Sequence, residues 1–251
     1  MKITAIIQAR MGSTRLPGKI IKEIAGEPML WRVIERVRQS KKIGEIIIAT
    51  TLNKEDEEVR EFARKRGVKV FSGSENDVLD RYYQTALYFN KPEIIVRITS
   101  DCPLIDPEII DKTVEFFLEN DLDYASTGRI QSTFPDGLDT EVFRFSALEK
   151  AWRESSLASE REHATPYIWK NPRIFKIGEF KNEKDLSYLR WTVDEEKDLN
   201  FVREVYKKLY KKGEIFYMKD VISLIEKHSE LLGKNKGIIR DEGYLKSLKE
   251  D

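Results

Sequence analysis

Short apolar runs and helically spaced apolar positions alternate along the first half of the chain. Continuous runs rich in isoleucine and valine are typical of buried strands, whereas apolar residues three and four positions apart indicate one face of a helix. The runs predict strands over residues 3–8, 45–51, 68–71 and 94–99. The spaced positions predict helices between them, over residues 28–40, 53–67, 76–90 and 107–120. This alternation predicts an α/β fold with a mostly parallel sheet and helices on both of its faces.

The second half of the chain is less regular, and its pattern predicts a mixture of short strands and amphipathic helices. Strands are predicted over residues 141–145, 174–180 and 191–193, and helices over residues 146–155, 160–170, 198–212 and 219–228. From Gly233 the sequence is polar and rich in charge, which predicts a loosely attached tail. The sequence contains no internal repeat and no low-complexity linker, so we expect one doubly wound domain over residues 1–232 and a charged tail over residues 233–251.

The composition argues against several functional classes. Lys plus Arg and Asp plus Glu each number 44, so the chain lacks the basic excess that nucleic-acid-binding proteins usually carry. No apolar run approaches the length of a membrane span, and the first residues lack the pattern of a signal peptide. The single cysteine, Cys102, excludes an internal disulfide, which fits a reducing compartment. We therefore expect a cytoplasmic protein that binds neither nucleic acid nor membrane.

The most informative segment is the loop after the first predicted strand, residues 8–19, which reads Gln-Ala-Arg-Met-Gly-Ser-Thr-Arg-Leu-Pro-Gly-Lys. Its small residues allow backbone N–H groups to approach a ligand closely. Its cations, Arg10, Arg15 and Lys19, suit a polyanion, because a guanidinium group can bind two phosphate oxygens at once. The loop follows the carboxyl end of a strand, where open α/β sheets bind ligands. These features favour a triphosphate site over a solvated basic loop.

The spacing within this loop excludes two common phosphate-binding motifs. Five residues rather than four separate Gly12 from Gly18, and Ile20 rather than Ser or Thr follows Lys19, so the loop is not the P-loop of ATPases and GTPases. It also lacks the three spaced glycines of the dinucleotide-binding fingerprint. The loop therefore indicates another kind of phosphate site.

Two aspartates follow short apolar runs and are candidate metal ligands. Asp101 comes after the strand predicted over residues 94–99, and Asp194 comes directly after residues 191–193. Nucleotidyl transfer needs the triphosphate charge neutralised, usually by Mg²⁺ on one or two carboxylates. An Asp between a strand and a helix can equally be an N-cap. The cationic loop favours the metal-binding interpretation for Asp101, whereas for Asp194 the N-cap is a strong competitor.

Three further groups of polar residues are candidates for substrate contacts, and each has a plain structural alternative. Asp136 and Asp139 flank Gly137, a pattern that is also typical of a turn. His163 is one of only two histidines, and a lone histidine is more often a packed or capping residue than a catalyst. Residues 72–82 combine small residues with a helix start, which favours anions but also fits an ordinary capped helix.

The loop over residues 8–19 closely resembles the signature loop of the cytidylyltransferases that make CMP-activated sugars. That family includes the CMP-sialic acid and CMP-Kdo synthetases and the spore-coat polysaccharide F-type proteins. Asp101 lies in an Asp-Cys-Pro sequence that resembles the family's Asp-x-Pro loop. Asp194 and a later Asp-Leu pair resemble a CMP-Kdo synthetase motif, although Glu-Glu replaces its Thr-Pro. Residues 162–167 and 235–248 resemble segments of the F-type proteins.

The resemblance implies a nucleotide-sugar transferase (GT-A-like) fold and the transfer of CMP from CTP to an acceptor hydroxyl, with release of pyrophosphate. The implied nucleotide-binding residues are Gln8, Ala9, Arg10, Met11, Gly12, Ser13, Arg15, Lys19, Ser74 and Arg81. The implied Mg²⁺ ligands are Asp101 and Asp194, the acceptor-binding residues are Asp136, Asp139, Glu141 and His163, and the catalytic residues are Arg10, Lys19 and Asp101. The family further implies a small acidic sugar as acceptor and a homodimer formed through a small insertion in the second half of the domain.

Other functions fit parts of the same pattern. CMP transfer to a phosphonate or another small acceptor is one, and a nucleotide-binding module without catalysis is another. A glycosyltransferase of the same fold usually carries an Asp-x-Asp motif beside a strand end. The only such motif here, Asp121-Leu122-Asp123, follows a predicted helix instead. We therefore favour cytidylyl transfer.

Overall fold

The computed structural model describes residues 3–233 and 240–251, and its centre is a seven-stranded sheet. The strands are β1 (Ile3–Gln8), β2 (Glu23–Ile24), β3 (Glu27–Pro28), β4 (Glu45–Thr51), β5 (Lys69–Gly73), β6 (Ile94–Thr99), β7 (Tyr124–Ser126), β8 (Glu141–Arg144) and β9 (Ile177–Glu179). The helices are α1 (Met29–Val37), α2 (Glu57–Lys65), α3 (Val78–Tyr88), α4 (Pro107–Glu119), α5 (Phe145–Glu154), α6 (Ala158–His163), α7 (Pro166–Trp169), α8 (Glu196–Leu209), α9 (Met218–Lys227) and α10 (Glu242–Ser247).

The strand order in the sheet is β5-β4-β1-β6-β8-β7-β9, and β2 pairs with β3 in a separate hairpin. The strands from β5 to β6 are parallel neighbours, whereas β8 is antiparallel to both β6 and β7. Parallel strands need crossover connections, and α1, α2 and α3 lie in the connections between β1, β4, β5 and β6. The mixed, mostly parallel sheet that the sequence predicts is therefore confirmed.

Apolar clusters cover both faces of the sheet, and β1 shows how its side chains divide between them. Ala5 and Ile7 belong to a cluster that includes the buried side chains of α1, α4 and α8. Ile6 belongs to a second cluster, with side chains from α3 and α5. Successive side chains of a strand point to opposite faces, so this division is expected when helices pack on both sides. The doubly wound arrangement is confirmed.

The second half of the chain departs from the predicted elements. The helix predicted over residues 160–170 is divided into α6 and α7, because Ala164 adopts a φ of 69° and Pro166 begins the second helix. The strand β7 was not predicted, since three residues are too short to show a repeat of two. The β7 strand extends the sheet beyond β8 and pairs with β9.

Residues 191–193 form no strand, although their apolar side chains are buried. The amides of Trp191 and Thr192 donate to the Asp136 carbonyl at 2.6 and 3.0 Å. The Val193 amide donates to the Asp101 carbonyl at 2.8 Å. The segment is therefore held between two loops rather than within the sheet, and it places Asp194 beside the loop that carries Asp101.

At 14 residues, α8 is the longest helix in the described parts of the chain. A helix needs about 20 apolar residues to cross a bilayer. None of the helices within residues 3–233 and 240–251 is long and apolar enough to do so.

Candidate active site

A cavity of about 840 Å³ opens at the carboxyl ends of β1 and β6. The loop after β1 forms one side of it, and the loop after β6 lies next to that side. The start of α3, together with α6, α10 and Asp194, completes the lining. Gln8 pairs with Thr99 at the ends of the two parallel strands, so the loops that follow them leave the sheet at the same edge. The cavity therefore lies where the sequence predicts a ligand site.

The loop after β1 is held in shape through the backbone of Met11. The Met11 amide donates to Oδ1 of Asp56 at 2.6 Å, and the Met11 carbonyl accepts from the amides of Ser13 at 2.9 Å and Gly18 at 3.1 Å. Gly18 has a φ of 64°, a left-handed conformation that favours glycine. Asp56 is fully buried, and its other oxygen accepts from the Thr51 hydroxyl. Asp56, which sequence reasoning did not single out, therefore fixes the turn of this loop.

Lys19 lies between the two predicted metal ligands. Its Nζ lies 2.7 Å from Oδ2 of Asp101, 3.0 Å from Oδ1 of Asp194 and 2.8 Å from the Val193 carbonyl oxygen. Burial alone would raise the pKa of Asp101, but the Lys19 ammonium and a hydrogen bond from Thr99 together lower that pKa to about 2. Burial alone would lower the pKa of Lys19, and the two carboxylates together raise it. The structure thus brings both aspartates together around one cation.

The two arginines of the loop also pair with carboxylates. Arg15 contacts Oδ1 of Asp194 at 2.8 Å and Oε2 of Glu242 at 2.9 Å. Arg10 contacts Oε1 of Glu75 at 3.4 Å, and both side chains are partly exposed. All three cations of the loop line the cavity. A bound polyanion would have to replace some of these carboxylates.

The other predicted nucleotide-binding residues divide between the cavity lining and the structure behind it. Those that line the cavity are Gln8, Ala9, Gly12, Ser13 and Arg81. Met11 packs against the apolar core, and the Ser74 carbonyl accepts a 2.8 Å hydrogen bond from Nη1 of Arg81. Arg81 is buried, and its Nε has no hydrogen-bond partner among the residues that the structure describes. Asp77 also caps the N-terminus of α3, since its carboxylate accepts a hydrogen bond from the Asp80 amide at 2.8 Å.

Glu141, predicted to bind the acceptor, is a buried charge behind the cavity. It is 2% exposed and pairs with Arg97 and Arg129. Its Oε2 accepts from the hydroxyls of Tyr124 at 2.8 Å and Thr165 at 2.5 Å. Burial alone would raise the pKa of Glu141, but the two arginines together with the hydroxyls of Thr165 and Tyr124 lower that pKa to about 2. The carboxylate therefore has a full set of protein partners, and direct contact with an acceptor stays a prediction.

Asp136 and Asp139 also lie behind the cavity. Asp136 contacts Nη1 of Arg190 at 2.7 Å, and Asp139 contacts Nη2 of Arg240 at 2.7 Å. Arg190 also contacts Oδ2 of Asp194 at 2.7 Å. This arginine thereby connects the turn that contains Asp136 to one of the predicted metal ligands. The turn interpretation accounts for these contacts, and acceptor binding by either aspartate stays a prediction.

Asp194 is not the N-cap of α8, since Glu195 occupies that position. Its carboxylate faces Arg15, Lys19 and Arg190 instead. Across residues 3–233 and 240–251, no group of three or more His, Cys, Asp or Glu side chains is placed to hold a metal ion. The carboxylates that a metal could meet at this site are those of Asp101 and Asp194.

Cys102 follows Asp101 but is buried, with its Sγ 3.1 Å from the Thr99 hydroxyl. Burial raises the pKa of the Cys102 thiol well above its ordinary value. Because the thiolate is the reactive form, Cys102 is a packing residue rather than a nucleophile.

His163 lines the cavity and contacts α10 at the same time. Its Nε2 lies 3.0 Å from Oγ of Ser247, and its ring meets the ring of Tyr244 edge-on at 5.2 Å. Burial lowers the pKa of His163 to about 4. The ring is therefore neutral near pH 7, with its Nε2 engaged by the C-terminal helix.

Residues 240–251, here called the C-terminal segment, form part of the cavity that sequence reasoning missed. The lining residues from this segment are Glu242, Gly243, Lys246 and Glu250. Glu242 and Lys246 form an i,i+4 pair, a pattern that ordinarily indicates a solvated helix face. No local signal in the sequence therefore marks this helix as part of a site.

The C-terminal segment is attached at both ends. Near its start, Asp241 contacts Nη1 of Arg129 at 2.7 Å. At its end, Asp251 accepts from the amide and the hydroxyl of Ser159 at 2.8 and 2.6 Å. The segment is more firmly attached than its composition indicates. Residues 235–239 of the predicted F-type resemblance lie outside the described residues, and the division of the chain at residue 233 stays a prediction.

Comparisons with known proteins agree on one family. A family model described as cytidylyltransferase matches residues 4–237. An uncharacterized protein of Methanocaldococcus jannaschii is 40% identical over 248 residues, which are 97% of this chain and 98% of that protein. The spore coat polysaccharide biosynthesis protein SpsF of Bacillus subtilis is 30% identical over 239 residues, which are 91% of this chain and 95% of that protein.

The solved structures agree with this assignment. A cytidylyltransferase from Leptospira borgpetersenii superposes with a TM-score of 0.88 at 39% identity, over 96% of this chain and 100% of that chain. The family model covers the loops after β1 and β6 that line the cavity, and it ends before the C-terminal segment. The chain therefore belongs to the cytidylyltransferase family and is a CTP-dependent nucleotidyltransferase.

Proposed function

We propose that the protein transfers CMP from CTP to a hydroxyl of a small acidic sugar and releases pyrophosphate. The observation that carries this proposal is the convergence of Asp101 and Asp194 on Lys19, directly beside the cationic loop after β1. Cations and carboxylates in contact at a strand edge suit a triphosphate and a divalent ion that bind together.

In this proposal the loop after β1 binds the triphosphate. Arg10, Arg15 and Lys19 hold its oxygens and stabilise the negative charge that grows on the departing pyrophosphate. Arg81 binds the nucleoside side, which is supported by its buried Nε that lacks a partner among the described residues. A buried donor without a partner costs about 1–3 kcal/mol, which a ligand acceptor would offset. Rate enhancement then comes from positioning and electrostatics, without a covalent intermediate.

Asp101 and Asp194 fit a magnesium ion. Both offer carboxylate oxygens, and both lie within 3.0 Å of the same Nζ, so their oxygens are close enough to share one cation. Mg²⁺ is commonly held by one or two carboxylates, with phosphate oxygens and water as its other ligands. The ion would neutralise triphosphate charge and orient the reacting phosphate. Lys19 would then exchange its carboxylate contacts for phosphate oxygens.

An acidic sugar is proposed as acceptor because the resemblance to CMP-sugar synthetases and the name of the B. subtilis relative both concern polysaccharide precursors. His163 and the C-terminal segment line the side of the cavity that the nucleotide loop leaves open. Glu141 supports this side from behind through Arg129, which also contacts Asp241 of the C-terminal segment. Asp136 instead supports the predicted metal ligand Asp194, through Arg190. A homodimer and a cytoplasmic location stay predictions.

The test of the proposed function is pyrophosphate release from CTP and Mg²⁺ across a panel of acidic sugars and phosphonates. Asp101→Asn should lower turnover about 100-fold or more, because one carboxylate of the metal pair is lost. The matched control is Asp121→Asn, since Asp121 is exposed outside the cavity and its variant should keep full activity. Asp101→Asn should unfold at a lower temperature than Asp121→Asn, because Lys19 loses one of its two carboxylate partners. Turnover is therefore compared at a temperature where circular dichroism shows both variants folded.

The outcomes of this assay distinguish the proposed function from its alternatives. Near-normal turnover by Asp101→Asn would contradict the assigned role of that carboxylate. Turnover with phosphonates but with none of the acidic sugars would show that the acceptor is a phosphonate. Thermal stabilisation by CTP without turnover on any acceptor would favour a nucleotide-binding module.

A further inference from the structure

The C-terminal segment brings a carboxylate into contact with the cationic loop. Nη1 of Arg15 lies 2.9 Å from Oε2 of Glu242, while its Nη2 lies 2.8 Å from Oδ1 of Asp194. Glu242 and Arg15 are 227 positions apart in the chain, so the contact exists only because α10 packs over the cavity. Both terminal nitrogens of this arginine are therefore occupied by carboxylates of the protein itself.

Glu242 is the carboxylate that can leave Arg15 at the lower cost. Its Oε1 lies 2.7 Å from Nζ of Lys246, so it keeps a cationic partner after it releases the arginine. Its side chain is 33% exposed, so water can also reach it. Asp194 is 19% exposed and is also held by Lys19 and Arg190. A second anion arriving at Arg15 would therefore displace Glu242 rather than Asp194.

We propose that Glu242 occupies Arg15 in the free protein and is displaced from it by the triphosphate of CTP. The inference rests on the proposed function, since it takes the incoming anion to be a nucleoside triphosphate. Displacement of Glu242 removes one attachment of α10 to the nucleotide side of the cavity. Because α10 also contacts His163, nucleotide binding is thereby coupled to the acceptor side of the site.

The experiment compares the CTP affinity of the wild type, Glu242→Gln and Asp251→Asn by titration calorimetry with Mg²⁺ and without acceptor. Glu242→Gln should bind CTP about two- to tenfold more tightly, because a competing ion pair of this exposure is lost. Asp251→Asn is the matched control: it removes one negative charge and one attachment of the same segment, but Asp251 contacts Ser159 and not Arg15. Its CTP affinity should stay within about twofold of wild type.

Three results would overturn the inference, two from calorimetry and one from hydrogen exchange. Equal affinity of Glu242→Gln and wild type would show that Glu242 does not compete, and equal tightening by Asp251→Asn would assign the effect to a looser segment. Hydrogen exchange supplies a second readout: amides of residues 240–251 should exchange faster in wild type when CTP and Mg²⁺ are added, and unchanged exchange would contradict displacement.

Failure of the inference can be told apart from failure of the proposed function. The binding experiment needs no acceptor, so it does not depend on which sugar is used. If the wild type binds CTP and Glu242→Gln binds it with the same affinity, only the displacement of Glu242 is overturned. A wild-type protein that binds no CTP would overturn both.

Discussion

Asp56 influences the active site although it does not line the cavity. Its carboxylate is fully buried and determines where the Met11 amide lies, and thereby where the loop after β1 turns. Asp56 therefore acts on a bound ligand indirectly, through the backbone of the loop residues that line the cavity. It is a positioning residue, and its effect should appear in the affinity for CTP.

We predict that Asp56→Ala weakens CTP binding about tenfold or more, since a hydrogen bond from a backbone amide to a carboxylate contributes about 1.5–3 kcal/mol. Asp56→Asn keeps an acceptor oxygen for the Met11 amide and should recover most of the affinity. Titration calorimetry with CTP and Mg²⁺ measures both variants. Wild-type affinity in Asp56→Ala, or no recovery in Asp56→Asn despite a wild-type melting temperature, would contradict the positioning role.

The sequence identified residues whose chemistry follows from local context. Asp101 and Lys19 were recognised because a carboxylate after a strand and a cation in a small-residue loop are local patterns. Asp56 and Glu242 were not, because their contacts with the loop span 45 and 227 positions. Acidic residues in the first turn of a helix ordinarily stabilise that helix, so nothing local distinguishes these two.

At the scale of elements, the segment 190–193 depends on the turn around Gly137. Gly137 has a φ of 109°, and a Cβ there would lie 2.5 Å from the Thr192 amide nitrogen and 2.7 Å from the Trp191 carbonyl carbon. A clash between this Cβ and backbone atoms cannot be relieved by rotation of a side chain. The glycine is therefore required for the segment that carries Asp194 to reach its position.

We predict that Gly137→Ala lowers the melting temperature by several degrees and weakens Mg²⁺-dependent CTP binding about tenfold, because the clash moves Asp194 away from Lys19. Gly26→Ala is the matched control, since Gly26 also has a positive φ of 82° but no atom within 4 Å of the added Cβ. It should cost about 1 kcal/mol of stability from backbone strain and leave CTP affinity unchanged. Equal CTP affinity in the two variants would contradict the role of the turn.

The sequence predicted strands correctly where one hydrophobic pattern extended over enough residues. The strands β1, β4 and β6 match their predicted bounds because their apolar runs are buried on both faces. Residues 191–193 gave the same apolar signal, yet they are buried between loops rather than in the sheet. The division between α6 and α7 was readable, because a residue before proline disfavours the helical conformation and Pro166 lies in the middle of the predicted helix.

At the scale of the whole molecule, Glu141 connects the nucleotide side of the cavity with the C-terminal segment. One of its partners, Arg97, donates to Oε1 of Gln8 at 3.2 Å. Its other partner, Arg129, contacts Asp241 at 2.7 Å. The buried carboxylate thus lies between two arginines that reach opposite sides of the site, and its charge state should matter for global stability.

We predict that the protein loses stability as the pH falls from about 4.5 towards 2, because the pKa of Glu141 is lowered to about 2 in the folded chain. The unfolded chain binds the proton first, so stability is present above pH 4.5 and declines below it, by about 3 kcal/mol for this group. Urea unfolding at a series of pH values measures the decline. Asp101, whose pKa is also about 2, should contribute to the same decline.

Glu141→Gln should lower the free energy of unfolding at pH 7 by about 3 kcal/mol, since the buried Arg97 and the partly buried Arg129 lose their shared carboxylate. Its stability should then fall less steeply with acid than that of the wild type. Glu61→Gln removes an exposed carboxylate and should keep the wild-type pH dependence. Parallel curves for wild type and Glu141→Gln would show that the buried carboxylate is not responsible.

The burial of Cys102 has a practical consequence for labelling this enzyme at a chosen site. The chain contains a single cysteine, and its thiol is both shielded and held in the unreactive form. A cysteine introduced at an exposed position such as Lys249 would therefore be the only thiol that a maleimide dye modifies. One substitution, Lys249→Cys, is enough to place a fluorophore on the C-terminal segment, and Cys102 does not have to be replaced first.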